Sequence, residues 1–472
     1  MTTTYSQLQT SDTTRPWQVL GITSLAVFAA SLDATILFVA FNDLTRTFNS
    51  VSAEQLSWVL NAYTLVYAAL LIPAGRIADI FGQRRLFMFG VALFTLASVL
   101  CGIASQPAFL IAARVLQAVG GAILIPTSLA LILSEFPKEK RASAVSLWGA
   151  VGALAAAIGP SLGSAIITAG GWRWAFFINL PVGLIALYLS SRVLRESQTQ
   201  RDQTLPDFWG SLLLILSVGL IVLGIVQSEL WGWMNGQTLI VIISGVVLLF
   251  VFVLRSSRVS VPALDISLFK DSNYRYANMA TFVFGATFTT LFFGFILFLT
   301  RVWGYTELQA GLAVTPGPLT VIPVAIIAGR IADRHGHRVL LVTGGIVFAV
   351  GGLLLYLFAT TEPAFLRLWL PVSLITGIGV GLLLPVLSSA AVAGLRAERF
   401  GAGSAVNQAI RQIGGVFGVA LVVVLLAADS QTPLAAFQQV FIVLIAGGLL
   451  TSAISLGIRT KGYKAKTAGP PE

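Results

Sequence analysis

Charge is scarce in this chain. Asp, Glu, Lys and Arg make up 10% of its 472 residues, where a soluble domain carries about a quarter. Too little charge is present to keep an ordinary globular surface in water. A single cysteine, Cys101, excludes an intramolecular disulfide. Two histidines, with no Cys/His grouping, argue against a zinc site, so no metal is expected. No G-x-x-x-x-G-K-[ST] run occurs, which excludes a P-loop ATPase within these residues. No set of catalytic residue types clusters either, so the chain reads as a non-enzyme with no cofactor. The polar stretches are also short, about two dozen residues at most, too few for a soluble domain.

Apolar residues fill the space that charge leaves. They form 56% of the chain, and mean hydropathy is +0.88. No single core can hide so much apolar surface, so a lipid bilayer must be the solvent for most of it. The net charge of +10 raises the question of nucleic acid. The Lys and Arg, however, fall in small groups between apolar segments, the pattern that orients a membrane protein. Nucleic acid is therefore not an expected partner.

Fourteen spans are predicted, near residues 17–40, 54–74, 86–105, 109–133, 143–169, 174–194, 207–227, 237–255, 278–300, 308–328, 339–359, 368–393, 402–427 and 436–458. Each approaches the ~20 residues a bilayer core requires. With the N-terminus inside, 23 of the 29 Lys and Arg fall on cytoplasmic segments and 4 on outside loops; Arg114 and Arg411 lie within spans. That bias predicts both termini in the cytoplasm and a multi-pass protein of the cell membrane. Eight tryptophans, among them Trp17, Trp58, Trp172 and Trp369, sit near span ends, where amphipathic rings belong.

One stretch occurs twice. Residues 75–85 read GRIADIFGQRR and residues 329–338 read GRIADRHGHR, agreeing at seven of ten positions at a constant offset of 254. A duplication of this period marks two copies of one membrane unit. The predicted organisation is a tail (1–16), a six-helix bundle (17–194), two inserted spans with linkers (195–276), a second six-helix bundle (277–458) and a basic tail (459–472). Gly75, Gly82, Gly329 and Gly336 permit tight turns and close helix approach. Asp79 and Asp333 can complement a helix dipole, with Arg84, Arg85 and Arg338 as matching positive charge. An ordinary positive-inside loop would need no such spacing, so a mechanical, gating role is the expectation.

This loop resembles the signature motif of the major facilitator superfamily, G-x-x-x-D-x-x-G-x-R-R after the second span. Three further stretches resemble its fourteen-span drug:proton antiporter branch. LDATILFVAF around Asp33 is similar to the first-span motif, departing at Phe38 and Asn42, where the branch usually has Asn and Pro. Arg114 to Gly121 is similar to R-x-x-Q-G-x-G, with Ala118 in place of a Gly. Gly159, Pro160 and Gly163 match the core of the fifth-span antiporter motif, and the tract GWRWAFFINLPVG from Gly171 is also typical. The resemblance implies an all-α membrane fold of two pseudo-repeat six-helix bundles around a central cavity, plus two inserted helices. It also implies proton-coupled export by alternating access, with proton coupling carried onto Arg114.

Asp33 is the only acidic residue well inside a predicted span. On insertion scales such a group costs at least about 2.5 kcal/mol, which makes function the default reading. The local alternative is a structural Asp bonded to Ser31 or Thr35. Arg114 is its natural partner, because both sit roughly 8–10 Å below the outer surface at 1.5 Å per residue. Arg114 snorkelling outward is the competing reading. A carboxylate that takes a proton outside and releases it inside can drive export.

Gly159, Pro160 and Gly163 give the fifth span little bulk and a missing hydrogen bond, suited to close packing and bending. Arg411 lies near the midplane, flanked by Asn407, Gln408 and Gln412, and is expected at the central cavity or a polar interface. The cavity is assigned Gln117, Gln408, Arg411 and the phenylalanine-rich ninth span, including Phe292. Such a surface suits amphiphilic or cationic small molecules, carried by a monomer that exchanges them for protons. The absence of embedded acids beyond Asp33 leaves neutral and anionic substrates open. The rival readings are transport of a specific metabolite on the same fold, a transport-inactive membrane sensor and a membrane-embedded enzyme.

Overall fold

The computed structural model describes residues 14–196, 207–260, 262–395, 399–427 and 432–460. Most of both predicted tails and of the linker before residue 207 lie outside these. All fourteen predicted spans are helices in the structure. They are α1 (Arg15–Thr47), α2 (Ala53–Ala78), α3 (Gln83–Gly102), α4 (Pro107–Glu135), α5 (Leu147–Gly170), α6 (Trp174–Val193) and α7 (Phe208–Ser228). After them come α8 (Gly236–Ser256), α9 (Ser272–Arg301), α10 (Glu307–Ala332), α11 (Arg338–Phe358), α12 (Phe365–Val392), α13 (Ala402–Ala427) and α14 (Pro433–Ser455).

Several helices outrun their apolar stretch. The α1 helix continues to Thr47 rather than stopping near residue 40, so Asp33 lies deeper than its expected depth. The polar end of α1 is held by partners that hydropathy does not register. Asp43 accepts from the Trp172 backbone N–H at 2.9 Å, and Thr47 accepts from the Trp172 indole at 3.1 Å. Asn42 donates to Thr300 at 2.8 Å, and Arg46 pairs with Glu307 at 3.0 Å. Likewise the helix of α2 runs to Phe81 and that of α10 to His335. Gly75 and Gly329 therefore sit inside helices and make no turn, contrary to their expected role. A Cβ at Gly75 would only touch Pro126, 3.5 Å away, and one at Gly329 would meet open space.

The duplication is visible in the packing. In the first half α1 packs on α4, α5 and α6, α4 also on α2 and α3, and α3 on α6. In the second half the same pairs recur eight helices later: α9 on α12, α13 and α14, α12 on α10 and α11, and α11 on α14. Two seams join the halves, α2 against α13 and α5 against α10, and they exchange under the same offset. The inserted α7 packs on α8 and lies over the α2–α13 seam. These two helices find no counterpart in the repeat and do not interrupt it.

Both copies of the repeated loop lie on one face, here called the loop face. Gly82 and Gly336 turn the chain with φ of 100° and 85°, a region open to glycine and strained for other residues. The side chains of Asp79 and Asp333 lie outside the description. Arg84 and Arg85 meet Glu196, just past α6: the Arg84 N–H donates to it at 3.2 Å, and the Arg85 guanidinium approaches to 3.5 Å. At the matching place after α14, Thr460 accepts from the His337 N–H at 3.1 Å. Arg338 is exposed at the start of α11. Because the Glu196 pair is exposed, Glu196→Ala should cost below about 1 kcal/mol. It should still quicken amide exchange over residues 82–86. Unchanged exchange there would contradict the stapling role.

Candidate functional site

Five helices of the first bundle converge on Asp33. Its Oδ2 accepts from Arg114 of α4 at 2.6 Å, and its Oδ1 accepts from Gln117 at 2.8 Å and from Asn179 of α6 at 3.0 Å. Ser98 of α3 accepts from Gln117 at 2.7 Å and from Asn179 at 3.2 Å. Arg114 also donates to the Val59 backbone carbonyl of α2 at 3.1 Å and to the side-chain oxygen Oε1 of Gln117, and its guanidinium lies 3.9 Å from the centre of the Tyr63 ring. Asp33, Ser98, Arg114, Gln117 and Asn179 are each no more than 1% exposed. A charged pair this deep is tolerable only when every donor and acceptor finds a partner, and here the network supplies them.

The structure thus brings Asp33 and Arg114 together, and Arg114 does not snorkel. Neither does Asp33 lean on its neighbours. The Thr35 hydroxyl donates to backbone carbonyls of its own helix, and Ser31 turns to the cavity. Gln117 is a correction. It was assigned to the cavity, but it sits within the network because it is three residues on from Arg114 and shares its helical face. Asn179 and Ser98 were missed. Asn179 stands in the GWRWAFFINLPVG tract, where an amide among apolar residues is a signal; Ser98 offers none.

Between the bundles lies a cavity of about 420 Å³, within the range of small-molecule sites. Its walls come from α1, α5, α9, α10, α12 and α13, and most of its lining is apolar or small. Phe292 and Arg411 both line it. Gln408, expected in the cavity wall, is not among the lining residues, because its side chain turns to Arg411 and accepts from its Nη2 at 2.9 Å and its Nε at 3.3 Å. On α5 the cavity takes Gly149, Gly152, Ala156 and Ala157, which belong to the loop-face half of that helix.

The other half of α5 is a contact strip. A Cβ at Gly159 would overlap Thr35, and one at Gly163 would overlap Ile36, both on α1. Across the seam, a Cβ at Gly311 of α10 would overlap Ser164 and the Pro160 carbonyl. Backbones can approach this closely only where side chains are missing. The glycine–proline segment therefore holds α1 on one side and the opposite bundle on the other. With Asn42–Thr300 and Arg46–Glu307, it closes the end of the molecule opposite the loop face.

Two facing six-helix bundles with a cavity between them and a shared loop motif define a membrane transporter of the two-bundle class. The sequence profile of the Major Facilitator Superfamily matches residues 23–255 and 277–471, and the chain belongs to that family. It is 35% identical over 414 residues to the multidrug resistance protein Stp of Mycobacterium tuberculosis, covering 86% of this chain and 75% of that one. It is 29% identical over 422 residues to multidrug resistance protein 3 of Bacillus subtilis, covering 89% and 80%. Among solved structures, a bacterial homolog of the human lysosomal transporter Spinster superposes with a TM-score of 0.65 at 16% identity, covering 94% of this chain and 96% of that one. That likeness concerns the fold.

Proposed function

We propose that this protein exports amphiphilic small molecules from the cell in exchange for protons, by alternating access. The observation that carries the reading is the buried Asp33–Arg114 pair, 2.6 Å apart beside the drug-sized cavity. The cavity and the proton site are separate, so coupling has to pass through the helices between them. α1 offers the route. Two residues beyond Asp33, Thr35 seats on Gly159, and Ile36 seats on Gly163. A proton on Asp33 would weaken the contact with Arg114, release α1 from α4 and disturb the α5 strip that closes the seam.

The loop face is assigned to the cytoplasm because the Lys and Arg gather there, which supports a cell-membrane protein with both termini on the cytoplasmic side. On that assignment the closed end faces outward. One chain encloses the whole cavity, so a monomer suffices. The names of the relatives support a drug-like cargo.

Inverted membrane vesicles with an acidified interior test this reading. Addition of a transported amphiphile is expected to release protons from vesicles containing the protein and not from empty ones. Amphiphile uptake that leaves the proton gradient untouched would sink the coupling.

A further inference from the structure

The two arginines embedded in the spans differ in their company. Arg114 has a carboxylate at 2.6 Å. Arg411 has the amide oxygen of Gln408 and, among the described residues, no carboxylate within ion-pair distance. It is also the one charged side chain among the described residues that line the central cavity, and no acidic side chain joins it there. Asp33, the acid that a cation would seek, is sealed inside the first bundle at 1% exposure.

The place of Arg411 in the wall is fixed. Its own backbone packs so closely on Gly285 of α9 that a Cβ there would overlap the Arg411 carbonyl, and Gly414 and Gly418 press on the Phe282 and Ala286 carbonyls in the same way. Gln408 then steers the guanidinium from one turn below. The same cavity is lined by Phe288, Phe292 and Phe295 from α9 and by the hydroxyl residues Ser31, Ser373 and Thr376. A guanidinium at an apolar, aromatic wall, with no counter-ion among the described residues, is a receptor for a planar anion. A carboxylate matches its fork and supplies the missing charge, while the ring face accepts the rest of an amphiphile.

We propose that the cavity selects amphiphilic anions, carboxylates above all, and that Arg411 is the residue that recognises them. This rests on the export reading for its setting and narrows its cargo. Lipophilic cations are disfavoured, because they would meet Arg411 and find no acid among the described lining residues.

Binding to the purified full-length protein in detergent micelles tests this without depending on transport. Three probes share one naphthalene body: naphthylacetate, its neutral amide, and naphthylmethyl-trimethylammonium. Naphthylacetate is expected to bind at least tenfold more tightly than the other two. Arg411→Gln should remove that advantage and leave the amide unchanged, while Arg411→Lys keeps part of it. The preference of the wild type stands as a test even where a variant folds poorly. No binding of naphthylacetate, equal or tighter binding of the ammonium probe, or an undiminished preference in Arg411→Gln would each overturn the proposal. Proton release in vesicles separates the two claims. A carboxylate preference without coupled protons would leave Arg411 standing and remove the coupling. Proton release driven by the ammonium probe would do the reverse.

Discussion

Replacing Asp33 with alanine is expected to destabilise the protein by about 3–5 kcal/mol, the cost of leaving one partner of a buried ion pair alone. The structure accounts for the size. Arg114 would remain at 1% exposure with no counter-charge. Gln117 and Asn179 would each lose an acceptor at 2.8 and 3.0 Å. Asp33→Asn should cost less, because an amide keeps the volume and one oxygen toward Arg114. The double variant Asp33→Ala with Arg114→Met should recover part of the loss, since an uncompensated buried charge costs more than an absent pair. Thermal unfolding in detergent checks the series. An alanine variant within about 1 kcal/mol of wild type would mean that the network bears little on stability.

Gly311→Val should change the conformational balance more than the stability. The new side chain has to enter the space held by Ser164 and the Pro160 carbonyl, where the halves meet at the closed end. Overpacking of this kind costs about 1–3 kcal/mol, and each 1.4 kcal/mol is roughly a factor of ten in an equilibrium. The strain exists only while that end is closed, so the substitution drives the protein toward the state in which it is open. A cysteine placed at Thr300, beside Asn42 at the same closed end, should then react faster with a membrane-impermeant maleimide added from the closed side. Cys101 is buried and serves as a silent background. Unchanged labelling would show that the α5–α10 seam does not gate that end.

Much of the fold was legible because lipid makes strict demands. Span length, the Lys and Arg bias and the 254-residue repeat each follow from the bilayer or from duplication, and none needs tertiary knowledge. The pairing of Asp33 with Arg114 was legible for the same reason, since a charge at that depth must find a partner. What escaped depends on rotation about a helix axis or on loops. Hydropathy gives depth but not facing, and so it put Gln117 into the cavity. The i, i+3 relation to Arg114 carried the right answer. Glu196 lies just beyond the end of α6, where apolar periodicity has stopped. The turns at Gly82 and Gly336 were readable, whereas Gly75 and Gly329 were not, because a drop in hydropathy marks the lipid boundary rather than the end of a helix. Depth and the polar neighbours Asn407, Gln408 and Gln412 point Arg411 to the cavity or a polar interface, and only the packed structure shows that no acid accompanies it among the described residues.

We propose Asp33 as the carrier of the coupled proton. Its most direct test compares wild type with Asp33→Asn in inverted vesicles, measuring substrate-driven proton release beside substrate counterflow, which needs no proton gradient. Asp33→Asn is expected to keep counterflow and to lose proton release. Proton release at the wild-type rate in Asp33→Asn, for a substrate seen to move, would contradict it.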